Sequence, residues 1–313
     1  MILVTGGAGF IGAHTVVDLV AKGHEVTVID DLRHRSPTPL PASVDVIEVD
    51  ICSPGAAEII REFRPSSILH LAAQGGVLRS WRDPVGDANQ NVAGTINILD
   101  AAVDAACKRV VFASSGGAIY GATEVLPTPE DTTPAPRSPY GAAKLAAEGY
   151  LRLFERRRGL STIALRFGNV YGPSQDGTGE AGLVANCCRR LLDGRPALIR
   201  GDGHQTRDFV FVDDVVEACV AALTSDFVGV VNIGTGHEST VLEVVSELTA
   251  LAGGSEPIFE HGMADEVERS CLGIERARSQ LGWAAKTILH DGLARTWASF
   301  AADQPLEPSG EPL

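Results

Sequence analysis

A chain of 313 residues that is 44% hydrophobic and 21% charged has the composition of a soluble globular enzyme, with room for one large or two modest domains. A formal net charge of −14 excludes non-specific nucleic-acid binding, which needs a basic surface to neutralise phosphate, and no apolar run approaches membrane-spanning length. With 34 glycines and few aromatics, an α/β fold with tight strand-to-helix turns suits the chain better than an all-β one.

The first expected strand, 1–5, starts the chain, with no charged leader, apolar run and cleavage site before it. It runs into Val4-Thr5-Gly6-Gly7-Ala8-Gly9-Phe10-Ile11-Gly12 and an amphipathic helix reaching about Lys22. Gly6, Gly9 and Gly12 permit a tight turn, close backbone approach and close helix packing, so that a pyrophosphate can meet the helix N-terminus. The spacing is GxxGxxG rather than GxGxxG, and alone it is also what a plain βα turn would show. The second strand, 25–29, ends on Asp30-Asp31, where a carboxylate can accept both adenosine ribose hydroxyls. That acid favours NAD over NADP, although Arg33 and Arg35 follow it. A third strand, 44–49, ends in Asp50-Ile51, placed like the edge of an adenine pocket. A fourth, 67–71, runs into Ala72-Ala73-Gln74, whose small residues let a cofactor lie close over the strand end.

Residues 75–84 read as a loop and 85–106 as a helix carrying Asn91 near its beginning. The buried strand 109–113 then delivers Ser114-Ser115-Gly116-Gly117 to the C-terminal edge of the sheet, where open α/β sheets bind ligands. Ser115 there could hold a substrate hydroxyl or simply serve a turn or helix cap. In Ser138-Pro139-Tyr140-Gly141-Ala142-Ala143-Lys144, Pro139 suits the first turn of a helix, and Tyr140 and Lys144, four apart, share a face. An ammonium beside a phenol favours the phenolate, so the pair can act as a base towards an alcohol; an ordinary surface helix shows the same spacing. Alternating strands and helices predict a doubly wound parallel sheet. The six cysteines, Cys52, Cys107, Cys187, Cys188, Cys219 and Cys271, have no metal-ligand spacing and suggest no pairing, as in a reduced, cytoplasmic protein without a metal site.

The set TGGAGFIG at 5–12, Ser115, Tyr140 and Lys144 resembles the extended short-chain dehydrogenase/reductase family that acts on nucleotide sugars. The likeness continues through Arg166-Phe-Gly-Asn-Val-Tyr-Gly-Pro173, Gly201-Asp-Gly-His-Gln-Thr-Arg-Asp-Phe209 and Asn232-Ile-Gly-Thr-Gly236, covering nearly the whole chain. It implies a Rossmann domain at 1–168, with short returning segments within 208–237, and a smaller α/β lobe at 169–313 for the nucleotide sugar. It also implies tightly bound NAD, touched further by Phe10, Ile11, Leu71, Asn91, Ala113, Ser114, Phe167 and Val170, besides Tyr140 and Lys144. After the fifth strand, nucleotide-sugar dehydratases of the family carry an Asp-Glu pair and decarboxylases a Glu, whereas Ser114 to Gly121 contains no carboxylate. Elimination needs a second proton-transfer group; inversion at C4 needs one base and a hydride acceptor. That segment and 174–183 look like the UDP-glucose 4-epimerase branch, so a UDP-hexose 4-epimerase is expected. The alternatives are a UDP-glucuronate 4-epimerase, a dehydratase or ketoreductase of the same family, or a non-catalytic dinucleotide sensor.

For the substrate, the resemblance implies Ser115 and Val77 at the sugar, Asn169, Gly182 and Leu183 beside it, and Ile199 with Arg200 about the uracil. Arg207 is the foremost diphosphate ligand, unless it merely pairs with Asp208. Met263 stands where the family usually has a second diphosphate arginine, so Arg269 is expected to substitute, with Glu266 on the ribose. Gly76, Ser270 and Gly273 leave room in the sugar pocket, so an N-acetylated UDP-hexose is expected to fit. Asp213-Asp214 is read as a helix cap, and 303–313 as a mobile tail. Helices 85–106 and 140–157 resemble those that pair in the family's homodimers.

Overall fold

The computed structural model describes residues 1–177, 182–262 and 266–302. Six strands in chain order, β1 (Ile2–Thr5), β2 (Val26–Asp30), β3 (Asp45–Glu48), β4 (Ser67–His70), β5 (Arg109–Ser115) and β6 (Ser161–Phe167), join Gly229–Ile233 in one seven-stranded sheet. The order is Gly229–Ile233, β6, β5, β4, β1, β2, β3, and every pair is parallel. Ile2 is in register with Val26 on one side and Ser67 on the other. The winding direction therefore reverses between β1 and β4, which opens a ligand crevice over their C-terminal ends.

The central strands are apolar on both faces because helices cover both. Val16 and Leu19 of the Phe10–Ala21 helix pack with Val215, Ala218 and Cys219 of Val212–Thr224 against one face. Ile60, Ile98, Leu99, Ala147 and Leu151 cover the other. A third cluster, with Tyr171, Val184, Cys188, Ile199, Val245 and Leu293, joins the helices Leu183–Leu192, Val241–Ala252 and Leu289–Ala302. The helix Pro139–Arg158 starts as expected: Ser138 Oγ accepts from Gly141 N at 3.1 Å, with Pro139 in the first turn.

Three expectations need correction. The stretch 75–84 contains a helix, Val77–Arg82, entered through Gly76 at φ 102°. Asp83 both ends it and caps the next, Pro84–Ala88, by accepting from Gly86 N. The expected helix 85–106 is interrupted by a wider turn at Asn89–Ala93 and resumes as Gly94–Asp104, where Gly94 lets the backbone press against Ile51. Asp213 and Asp214 lie inside the first turn of their helix and cap nothing there. Asp214 instead accepts from the backbone of Lys286 and Thr287, and Asp213 pairs with Arg295. The tail 303–313 lies outside the described residues.

Candidate active site

The glycine-rich turn fills the crevice between β1 and the Phe10–Ala21 helix. Gly6 has φ 69°, and a Cβ there would lie 2.5 Å from Ala72 N; one at Gly12 would lie 2.1 Å from Gly6 O. Both positions thus demand glycine. At Gly9 the nearest atom to a Cβ is 3.4 Å away, so its missing side chain leaves open space at the helix entrance. Gly9 is the N-cap and no side chain caps the helix, so the N–H groups of the first turn, at Phe10, Ile11 and Gly12, have no side-chain partner. An anion suits that place.

Asp30 ends β2 and accepts from Ala8 N at 3.0 Å and Leu32 N at 2.8 Å; burial raises its carboxyl above the usual range, against those two bonds. It therefore braces the glycine turn. Arg33 is closed between Asp31 (2.8 Å) and Asp50 (3.0 Å), which removes it as a holder of a 2′-phosphate. Ile51 is buried against Gly94. An uncapped helix end, glycines that a Cβ would block and an acid at the end of β2 fit NAD.

Beneath Leu71, Ala72, Ala73 and Gln74 runs a buried polar chain that sequence reasoning missed. Thr5 Oγ1 accepts from Ala72 N at 3.1 Å and meets His70 Nδ1 at 2.6 Å; His70 Nε2 meets Thr95 Oγ1 at 3.1 Å. Burial, then the nearby Lys144 charge, hold His70 down to about 3, so it is neutral. Its signal in the sequence was a histidine within an apolar strand. Asn91 belongs to the same region: its Oδ1 accepts from Gln74 N, and its Nδ2 donates to Gln74 O and Asp87 Oδ1, each at 3.0 Å.

Ser115, the last residue of β5, and Tyr140 lie together at the sheet edge, close enough for the Ser115 hydroxyl to lower the proton affinity of the phenol. Lys144 Nζ donates to Ala113 O at 2.8 Å and lies 4.7 Å from the Phe112 ring centroid and 5.8 Å from that of Tyr140. Burial drives Tyr140 up to about 12, against the nearby Ser115 hydroxyl and together with the Asp87 charge. Burial likewise draws Lys144 down to about 8, against Asp87 and Glu148. In the protein alone the phenol is therefore a weaker acid than an exposed tyrosine. The Ser114 hydroxyl donates inward to Glu148 at 2.7 Å. Glu148 takes a two-pronged bond from Arg166 (2.9 and 2.7 Å), which also reaches Tyr120, so the helix carrying the pair is pinned to β6. Phe167 is buried at the end of β6, in register with Ser115.

In the lobe, Asn169, Val170, Gly182 and Leu183 line one cleft with Gln175 and Phe209. Val77 opens its helix with an exposed side chain. Ile199 is wholly buried in the lobe core and Arg200 is exposed. In a strand, neighbours face opposite sides, so the face of Arg200 is shared by Leu198, not Ile199. The period of two, applied to 198–200, would have found it. Arg207 does not pair with Asp208; it bonds Glu266, Thr206 O and Val267 O. Glu266, expected on the ribose, is thus engaged by the arginine. Asp208 is buried and accepts from the backbone of Thr235, Gly236 and Leu272. Arg269, expected at the diphosphate, is forked onto Glu238. Met263 and residues 178–181 of the 174–183 loop lie outside the described residues.

Residues 2–234 match the model of the NAD dependent epimerase/dehydratase family. The chain is 42% identical over 305 residues to a UDP-glucose 4-epimerase of Mycolicibacterium smegmatis, covering 95% of this chain and 97% of that relative. It resembles the crystal structure of the Thermotoga maritima UDP-glucose 4-epimerase with UDP-glucose at a TM-score of 0.94 and 41% identity, over 96% of this chain and 98% of that one. The Thermus thermophilus UDP-glucose 4-epimerase in complex with NAD gives 0.91 and 40%, over 97% and 99%.

Proposed function

Because the chain belongs to the NAD-dependent epimerase/dehydratase family, we propose that it is a UDP-hexose 4-epimerase of the UDP-glucose/UDP-galactose type. The observation that carries this is Ser115, Tyr140 and Lys144 at the sheet edge beside a segment, Ser114 to Gly121, that holds no carboxylate. Relatives named for this activity match over nearly the whole chain.

Tyr140 takes the proton of the C4 hydroxyl, and Ser115, beside the phenol at the sheet edge, holds that hydroxyl and shares the transfer. NAD, when bound, would supply the hydride acceptor and donor for C4 and a positive charge that favours the phenolate. Lys144, fixed by Ala113 O, adds its charge 5.8 Å from the phenol ring. The 4-keto sugar turns over in its pocket, and Tyr140 gives its proton back on reduction of the opposite face. The glycine turn with Asp30 and the strand end 71–74 would hold the cofactor. The lobe beyond residue 168, through Asn169, Gly182, Leu183, Leu198 and Arg200, would take the UDP-sugar. Arg207 reaches a diphosphate by leaving Glu266.

The exposed apolar side chains of Trp81, Val85, Tyr150 and Leu153, on helices of one side, support a homodimer. Six free cysteines suit a cytoplasmic location, and no described helix is long and apolar enough to cross a membrane. The test is incubation of the purified protein, without added NAD, with UDP-glucose, UDP-N-acetylglucosamine and UDP-glucuronate, followed by chromatography and mass. A product of unchanged mass and new retention supports the reading; loss of water or carbon dioxide refutes it.

A further inference from the structure

Asp87 is a carboxylate that the reaction above leaves unused. It is fully buried on the short helix Pro84–Ala88, which packs against the Tyr140 helix, Pro139–Arg158. Its Oδ1 accepts from Asn91 Nδ2 at 3.0 Å and Gln74 Nε2 at 3.3 Å, whereas Oδ2 is enclosed and meets no hydrogen-bond donor. A buried carboxylate with one oxygen unmatched is costly unless a nearby cation compensates it.

The charges that act on this cluster are few. Lys144 is the cation coupled to Asp87, Tyr140 feels the Asp87 charge, and Asp83 repels it from the preceding turn. Around Lys144 the other groups are Glu148, closed by Arg166, and the neutral His70 of β4. We propose that Asp87 is a positioning residue for the Tyr140–Lys144 pair: its carboxylate is the fixed counter-charge of the buried lysine and, through Asn91, ties the Gln74 backbone to the same point. It rests on the epimerase reading, which gives Tyr140 its acid–base role. The Asp87 charge keeps Lys144 an ammonium against its burial, and the same charge opposes premature ionisation of Tyr140. One group thus acts on the proton affinity of both.

Asp87→Asn keeps the size and an acceptor for Asn91 and Gln74 while removing the charge. With the holoenzyme and UDP-glucose, the rising limb of kcat/KM against pH is expected about one unit lower, with KM within about twofold of wild type. Asp87→Glu, which retains the charge, is expected to return the limb towards wild type. A limb that stays in place in the asparagine variant overturns the proposal, as does one that moves up; a merely structural residue would change stability and leave it. If asparagine prevents folding, Asp87→Ser carries the same expectation. A readout independent of turnover is available because the chain has only four lysines, Lys22, Lys108, Lys144 and Lys286. In protein labelled at lysine Cε, the resonance lost in Lys144→Arg should titrate about one unit lower in Asp87→Asn, and an unmoved midpoint refutes the proposal. A wild type inert towards every UDP-sugar would sink the epimerase reading, while the lysine titration would still decide the role of Asp87.

Discussion

Glu148 is the anchor on which the Tyr140 helix depends, and removing it should be expensive. Its carboxylate takes two bonds from Arg166 and one from Ser114, and the two charged side chains are 1% and 4% exposed. Glu148→Ala leaves the Arg166 guanidinium buried with Tyr120 as its remaining side-chain partner. Breaking a buried pair from one side costs about 3–5 kcal/mol, against a total stability of about 5–15 kcal/mol for a domain. The denaturation midpoint should fall by on the order of 10 °C. Urea unfolding at a fixed NAD concentration measures the loss, since bound cofactor itself adds stability. Replacing both partners, Glu148→Leu with Arg166→Met, should recover at least about half of it, because no uncompensated charge remains. A single-variant loss below about 1 kcal/mol, or a double variant no better than the single, would refute the argument that this pair holds the helix.

Three further outcomes are expected. Gly12→Ala should lose bound NAD and stability together, since its Cβ would lie 2.1 Å from Gly6 O, whereas Gly9→Ala, with 3.4 Å of clearance, should fold and lose NAD alone; nucleotide released on denaturation and the melting temperature check both. Tyr140→Phe should retain NAD and lose about a thousandfold in kcat; a loss of less than about tenfold would remove Tyr140 as the base. His70, held down to about 3, binds no proton in the folded chain while the unfolded chain protonates near pH 6.5. Its contribution is therefore complete above that pH and declines as pH falls towards 3, by about 2 kcal/mol at pH 5. A His70→Gln variant should show a shallower loss between pH 6.5 and 4, and equal slopes would contradict this.

What the sequence determined by itself was whatever depends on local order: the parallel strands from their apolar runs, the Gly6-Gly9-Gly12 turn from its place between strand and helix, and Tyr140 and Lys144 from their spacing of four. Ser115 was legible because a strand of known direction ends there. The hydrogen-bond partners that the sequence could not name come from distant parts of the chain. Asn91 is turned to Gln74 and Asp87, Arg207 to Glu266, and Ser114 to Glu148, and spacing along the chain says nothing about these approaches. The ionisation of the Tyr140–Lys144 pair belongs to the same class. A lysine four residues away favours the phenolate, whereas burial and the Asp87 carboxylate push the phenol the other way. Desolvation is a property of everything packed around a group, so only the tertiary structure decides it.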